Sequence, residues 1–358
     1  MKSKKYFLLI TLLISSIFIS ACSSTIYSST GWHGLVASTD TAYLAAGTQI
    51  YAIDLNTGSE DWRYPAKVNA KISFYANPVL SSDGQLIIPG YDNSLYSLNP
   101  ATGFENWIFT GSTNRLVGSP LVTQDMIYQP STDHYIYAVD LEGNQVWKSE
   151  TGGPIWAQPA NSPDCACVYV ASMDHILYSY EATTGRLLWQ TQDLGGALVG
   201  TPAVSSDGVL YLGTFGKEMI ALDATNGTIR WRFTTQDWVW SGPALVDNVL
   251  YFGDLSGYFY ALNATDGTSL WRIQPQNSIV DTPVVLEDKI YFTNEADTLY
   301  IVDTTGNIVD SKLIGGLIYS APVIVGETIL VAPTNFDSLL VALNLDVNQK
   351  WAFTPVKK

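Results

Sequence analysis

The sequence predicts an all-β fold, an eight-bladed β-propeller whose blades are four-stranded antiparallel sheets. Three observations predict it: tryptophan recurs every 39 to 45 residues, a polar turn precedes each tryptophan, and alternating apolar runs fill the remainder of each repeat. Four strands in about forty residues are the content of one propeller blade. No stretch of the repeats sustains the apolar period of a helix, so a helical fold is excluded.

The recurring tryptophan marks the last strand of each repeat. A large indole buries area between neighbouring sheets, which single blades could not bury alone. The seven that mark the repeats are Trp62, Trp107, Trp147, Trp189, Trp231, Trp271 and Trp351, and Asp310 occupies the remaining position.

The turn before each tryptophan combines a short acid or amide with a glycine. Asp and Asn side chains bond nearby backbone N–H groups and start turns, and glycine takes the positive φ of a short hairpin. The glycines are Gly58, Gly103, Gly143, Gly185, Gly227, Gly267 and Gly306, and Val347 stands in their place in the last repeat.

A proline begins the first strand in seven repeats, from Pro78 to Pro322. The last repeat ends with its own outer strand at residues 349–354, so the ring should close by side-chain packing of blade eight on blade one. Asp310 and Val347 lie close to that seam in sequence. We therefore expect the seam to be the weakest interface and to open first in hydrogen exchange.

The chain begins with a targeting segment. Lys2, Lys4 and Lys5 precede an apolar run over residues 6–19, and Ile19-Ser20-Ala21-Cys22 resembles a bacterial lipobox. We expect a signal peptide over 1–21, a lipidated Cys22 with a short tether over 22–30, and the propeller over 31–358. The protein would be secreted and lipid-anchored to the cell membrane or outer membrane. The alternative is an ordinary signal peptide that contains a cysteine.

The repeat itself resembles a known family. Ala52, Asp54, Gly58 and Trp62 match the tryptophan-docking repeat of the pyrroloquinoline-quinone (PQQ) propeller proteins, and the likeness covers essentially the whole mature chain. With the lipobox, the chain is also similar to the propeller lipoproteins of the outer-membrane β-barrel assembly machine. That resemblance implies a non-enzymatic scaffold, although no partner-binding segment transfers residue by residue.

The charge of the chain argues against nucleic acid as a partner. Removal of residues 1–21 takes three lysines and no acid from a formal charge of −15, which leaves −18. Phosphate binding needs clustered Lys and Arg, which this acidic balance does not favour.

The PQQ resemblance raises a rival function, a PQQ-dependent oxidoreductase. Many such enzymes carry adjacent cysteines over the cofactor, whereas this chain has Cys165-Ala166-Cys167. Two free thiols, a local disulfide and half of a metal site remain open for these cysteines, and a zinc site is disfavoured because no second Cys pair exists. Acids recur in every turn, which indicates structure, so we expect no catalytic residue, no metal and no cofactor, PQQ included.

The residues three places before each proline alternate between aromatic side chains and valine. The family resemblance places the proline strand innermost, so Tyr75, Trp156, Trp240 and Tyr319 should ring one mouth of the central channel. Arg115 and Trp238, two places upstream, would join them. The aromatic residues either clamp a flat ligand or stack on a sugar, or they simply alternate with valine to fill a tapering channel.

Two histidines stand in matching phrases of blades three and four. His134 and His175 should lie in the loops between the second and third strands, on the same face as the channel mouth. They are either polar loop residues or a pair of neighbouring site residues.

These observations together predict an envelope-anchored, monomeric, non-catalytic binding or scaffolding module. Its partners would be the membrane, through the lipid, and another envelope protein or a small ligand. The alternatives are the PQQ-dependent oxidoreductase and a lipoprotein for ligand sensing or substrate capture.

Overall fold

The computed structural model describes residues 31–162 and 165–356. The expected signal peptide over 1–21 and the tether over 22–30, with Cys22, lie outside the described residues. The described chain forms eight four-stranded antiparallel sheets and contains no helix. The predicted eight-bladed β-propeller is therefore confirmed.

Each blade uses four strands that are consecutive in sequence. Blade one contains β1 (Gly34–Ala37), β2 (Thr41–Ala46), β3 (Gln49–Asp54) and β4 (Glu60–Tyr64). Blade two contains β5 (Val79–Leu80), β6 (Leu86–Pro89), β7 (Leu95–Leu98) and β8 (Glu105–Phe109). Blade three contains β9 (Leu121–Val122), β10 (Ile127–Pro130), β11 (Tyr135–Val139) and β12 (Gln145–Glu150). Blade four contains β13 (Ala160–Asn161), β14 (Cys167–Ala171), β15 (Leu177–Glu181) and β16 (Leu187–Gln190).

The second half of the ring repeats this order. Blade five contains β17 (Ala203–Val204), β18 (Val209–Thr214), β19 (Glu218–Asp223) and β20 (Ile229–Thr234). Blade six contains β21 (Ala244–Val246), β22 (Val249–Gly253), β23 (Phe259–Asn263) and β24 (Ser269–Ile273). Blade seven contains β25 (Val284–Leu286), β26 (Lys289–Thr293), β27 (Thr298–Asp303) and β28 (Ile308–Leu313). Blade eight contains β29 (Val323–Val325), β30 (Thr328–Val331), β31 (Leu340–Asn344) and β32 (Gln349–Phe353).

The burial of the strands follows their distance from the ring axis. The second strand of blade five, β18, is buried at every residue, because a neighbouring blade covers each of its faces. The outer strand of the same blade, β20, has four exposed and two half-buried residues and none that is fully buried. The first strands of neighbouring blades approach each other, which places the proline strands innermost.

Each tryptophan packs on the turn glycine of the next blade. A β-carbon added to any of these seven glycines would come within 2.8 Å of an indole ring atom, so only glycine fits beneath the ring. Most of the indoles also donate a hydrogen bond to a backbone carbonyl of that turn. Trp107, for example, donates to the Leu141 carbonyl at 2.8 Å. The tryptophans therefore hold successive blades together.

The seam between blades eight and one has the same arrangement. Trp351 donates its indole N–H to the Leu55 carbonyl at 2.9 Å and covers Gly58. Leu44 and Leu340 belong to one buried apolar cluster that joins the two blades. Ring closure thus uses side-chain packing without strand exchange.

The structure corrects the expectation about the seam. The indole of one blade docks on the glycine of the following blade, so Asp310 of blade seven and Val347 of blade eight belong to the same interface. That interface lies between blades seven and eight, one step before the seam. The two irregular positions on which the expectation rested therefore do not lie at the seam, because sequence order does not reveal the direction of docking.

The structure joins Cys165 and Cys167 in a disulfide, with their Cα atoms 5.2 Å apart. The bridge closes the turn that enters β14, the second strand of blade four. A local disulfide is one of the three alternatives that the sequence leaves open for these two residues. Within residues 31–162 and 165–356, no helix has the length and apolarity needed to cross a bilayer.

Candidate functional site

A cavity of about 880 Å³ occupies the centre of the ring. Its wall includes the residues three places before the prolines of the inner strands: Tyr75, Val117, Trp156, Val199, Trp240, Val280 and Tyr319. Ladder register aligns Trp32 of blade one with Tyr75 of blade two, so blade one adds a further aromatic residue to this series. The volume lies within the range of small-molecule sites.

One aromatic cluster spans blades four to six. The rings of Trp156 and Trp240 meet edge to face, with centroids 6.4 Å apart. Phe215 lies 5.2 Å from Trp240 and stacks on Trp238 at 4.6 Å. Trp238 is 42% exposed, so this cluster runs from the cavity wall to the surface. We call Trp156, Trp240, Phe215 and Trp238 the aromatic arc.

A second cluster lies beside blades one to three. Tyr75 contacts Trp32 at a centroid distance of 6.1 Å and Tyr91 at 5.1 Å. The Arg115 guanidinium stands 4.5 Å from the centre of the Tyr91 ring and donates to its hydroxyl at 3.3 Å. Arg115 and Trp238 are thus connected to the wall through other rings and do not line the cavity themselves.

The wall carries two carboxyl groups, Asp281 and Glu295, and its described residues include no lysine or arginine. Burial raises the pKa of Asp281 to about 7, although the backbone N–H groups of Thr282 and Ala321 oppose this shift. Burial lowers the pKa of His33, also on the wall, to about 4. Asp281 is therefore about half ionised at neutral pH.

Sequence reasoning missed Asp281, although a signal was present. In each blade, the corresponding residue directly follows the aromatic residue or valine of the wall. Blade one has His33 there, and the other six blades have small residues: Ala76, Gly118, Ala157, Gly200, Ser241 and Ser320. Small side chains suit a position where inner strands converge on the axis. Asp281 is the single acid in this series of small residues, and that contrast is the signal in the sequence.

The two histidines occupy a turn position. His134 and His175 have φ values of 75° and 74°, and Asn93 and Lys217 take the same place and conformation in blades two and five. Neither histidine lines the cavity. The His175 Nδ1 atom lies 3.1 Å from Asp193 Oδ1, on exposed surface. This arrangement suits polar loop residues.

Tyr258 and Phe336, in the loops between the second and third strands of blades six and eight, do not line the cavity either. The ring of Tyr258 lies 5.2 Å from the Arg272 guanidinium, over the outer strand of blade six. Phe336 covers Gly315 and is 38% exposed. The described residues contain no group of three or more His, Cys, Asp or Glu side chains placed to hold a metal ion.

The fold and its docking pattern define a tryptophan-docked, PQQ-like eight-bladed propeller. A family model described as outer membrane protein assembly factor BamB matches residues 24–154, 132–238, 172–314 and 221–351. The chain belongs to this family.

Individual relatives share only part of their length with the chain. BamB of Nitrosomonas eutropha is 28% identical over 155 residues, 42% of this chain and 37% of the relative. BamB of Moranella endobia is 24% identical over 213 residues, 55% of this chain and 53% of the relative. Lupanine 17-hydroxylase [cytochrome c] of a Pseudomonas species is 31% identical over 144 residues, 34% of this chain and 20% of that enzyme. The chain thus spans about a third to a half of the BamB relatives.

Solved structures share the fold. The crystal structure of BamB from Moraxella catarrhalis superposes with a TM-score of 0.74 at 18% identity, covering 86% of this chain and 94% of that one. The computationally designed protein Ika8 superposes with a TM-score of 0.76 at 13% identity, covering 87% and 95%. A natural assembly factor and a designed protein thus share this architecture, so the fold alone does not define a function.

Proposed function

We propose that the chain is an envelope lipoprotein whose propeller is a non-catalytic scaffold in the assembly of outer-membrane proteins. The observation that carries this proposal is the BamB family match, which spans residues 24–351 and therefore every blade. Cys22 would hold the mature protein to a membrane through its lipid, and the propeller would bind another envelope protein. The acidic chain makes nucleic acid a poor partner.

The face at the channel mouth is the surface we propose for the protein partner. Trp238 and Phe336 are exposed there, and Trp238 is supported from below by its stack on Phe215. A rigid, partly exposed aromatic side chain contributes large contact area at little conformational cost, which is why tryptophan is enriched in interface hot spots.

The chemistry of the cavity supports a non-catalytic function. PQQ is a tricarboxylate and is attracted by basic side chains, whereas this wall offers Asp281 and Glu295 and no lysine or arginine among its described residues. The Cys165–Cys167 bridge lies outside the cavity wall, so it does not cover a cofactor there. The residues do not fit PQQ, and we derive no redox step for this protein.

Complementation in the native host tests the scaffold. Deletion of the gene should lower the amount of folded β-barrel protein in the outer membrane. Wild-type protein should restore it, and Trp238→Ala should restore it poorly. Glu142→Gln, an exposed turn substitution in blade three, serves as the matched control. Normal barrel levels in the deletion strain, together with PQQ- and calcium-dependent dye reduction by the purified protein, would overturn the proposal in favour of an oxidoreductase.

A further inference from the structure

We propose that the central cavity is a binding site for a small organic amine in its protonated form. The ammonium group would bond the Asp281 carboxylate, and the apolar part of the ligand would lie on the aromatic wall. This inference goes beyond the scaffold function and does not depend on it.

Asp281 lies at a position where a charged side chain is energetically unfavourable. The corresponding side chains in six other blades are alanine, glycine or serine and are buried, whereas Asp281 is partly exposed to the cavity. Within the protein it accepts a hydrogen bond from the Thr282 N–H at 2.6 Å, and no basic side chain of the described residues forms an ion pair with it. A carboxylate at such a position gains most from a cation supplied by a ligand.

Two buried hydroxyl groups flank Asp281. Ser241 and Ser320 hold the corresponding positions in blades six and eight, on either side of Asp281 in blade seven, and both line the cavity. Each is only 4% exposed, and neither Oγ atom has a hydrogen-bond partner among the described residues. Buried polar atoms without partners are rare and call for an explanation. Both oxygens are covered by protein atoms, so either serine must change its χ1 rotamer before its hydroxyl can bond a ligand in the cavity.

The rest of the wall selects for a cation with an apolar body. Burial, and after it the charge of nearby Glu295, raises the pKa of the Tyr319 hydroxyl, so a second carboxyl group lies near an aromatic ring. The faces of Tyr75, Trp156 and Trp240 attract cations and bury hydrocarbon. His33 is neutral at pH 7 because burial lowers its pKa to about 4, so it does not oppose a positive charge. The wall thus combines acids, hydroxyl acceptors and aromatic rings.

Three probes of similar shape and different charge test the proposal by calorimetric titration at pH 8. They are 2-phenylethylammonium, the neutral 2-phenylethanol and the anionic 3-phenylpropanoate, added to purified full-length protein. The ammonium ion should bind at least about tenfold more tightly than the alcohol, since one charge-assisted hydrogen bond is sufficient for that difference. The anion should not bind. Equal affinity for the ammonium ion and the alcohol, or no binding of the ammonium ion at millimolar concentration, would overturn the proposal.

Variants then assign the charge preference to the cavity. Asp281→Asn should lower the affinity for 2-phenylethylammonium about tenfold and leave the affinity for 2-phenylethanol unchanged, because the amide retains the shape and loses the charge. Glu142→Gln should leave both affinities unchanged. An Asp281→Asn protein that keeps the full preference for the ammonium ion would contradict the site. If that variant does not fold, the comparison of the three probes on wild-type protein still tests the proposal. Complementation by Trp238→Ala is a separate readout, so failure here leaves the scaffold proposal standing.

Discussion

Asp310 pairs with Ile301 across the β27–β28 ladder, at the register position where tryptophan pairs with alanine or serine in each of the other seven blades. The small partner leaves room for the indole. Where the indole is replaced by Asp310, the partner is enlarged to isoleucine, and the glycine that the indole would cover is replaced by Val347. Ile301 and Val347 are buried in one apolar cluster between blades seven and eight. This interface is therefore repacked with aliphatic side chains.

The repacked interface should be the first to open. It lacks the indole and its hydrogen bond to the next blade, and Val347 holds a φ of 53°, which is strained for a β-branched residue. We expect hydrogen exchange to be fastest in β28 among the outer strands and to be slower in β32, where Trp351 docks on blade one. Faster exchange in β32 than in β28 would show instead that the seam between blades eight and one is the weakest interface.

Restoring a docked tryptophan between blades seven and eight should require substitutions at Ile301, Asp310 and Val347 together. Ile301→Ala alone should lower the free energy of unfolding by about 2–4 kcal/mol, because it leaves a cavity in the core. Combined with Asp310→Trp and Val347→Gly, the same change should be neutral or stabilising, because the indole then fills the space and the turn loses its strain. Urea unfolding of the single and triple variants measures the coupling. Strictly additive effects would show that the three positions act independently.

Repetition explains how much of this molecule could be predicted from its sequence. The turn glycines and tryptophans recur, so blade number, strand order and the aromatic wall follow from spacing. The direction of docking does not, because it relates one blade to the next in space, so the sequence placed the two irregular positions one interface too late. Asp281 occurs once, and a single acid among small residues has meaning only after the inner strands are placed around a cavity.

The stability of the protein should depend on pH through Asp281. Burial raises its pKa from an ordinary 3.8 to about 7, so between these values the folded protein holds a proton that the unfolded chain releases. Stability is therefore lost as pH rises through this window, and the loss is complete above pH 7. Asp281→Asn should exceed the wild type in urea midpoint at pH 8 and equal it at pH 4. Glu295, His33 and Tyr319 share the cavity and stay unchanged in the comparison. A constant difference between the two proteins at both pH values would count against this ionisation.

The lipid anchor is tested at Cys22. Cys22→Ser should leave the precursor unprocessed or release the protein from membranes, because the thiol is the atom that receives the lipid. Fractionation and mass spectrometry of the native N-terminus measure both outcomes. An unlipidated mature N-terminus in the wild-type protein would show that the targeting segment is an ordinary signal peptide.

The aromatic arc itself gives the last prediction. Trp156 and Trp240 contact each other on the cavity wall, and both are only partly buried. Their joint replacement by alanine should weaken binding of 2-phenylethylammonium at least about tenfold, since each ring contributes cation–π and apolar contact. The melting temperature should fall by only a few degrees, because the docking tryptophans and the blade cores remain intact. Trp231→Ala is the contrasting control: it removes a docked indole that donates to the Ala264 carbonyl at 3.0 Å, so it should lower the melting temperature and leave the affinity unchanged. If the double variant instead melts far below the wild type and still binds the amine, the arc is packing that fills the channel, and the amine lies against the other wall.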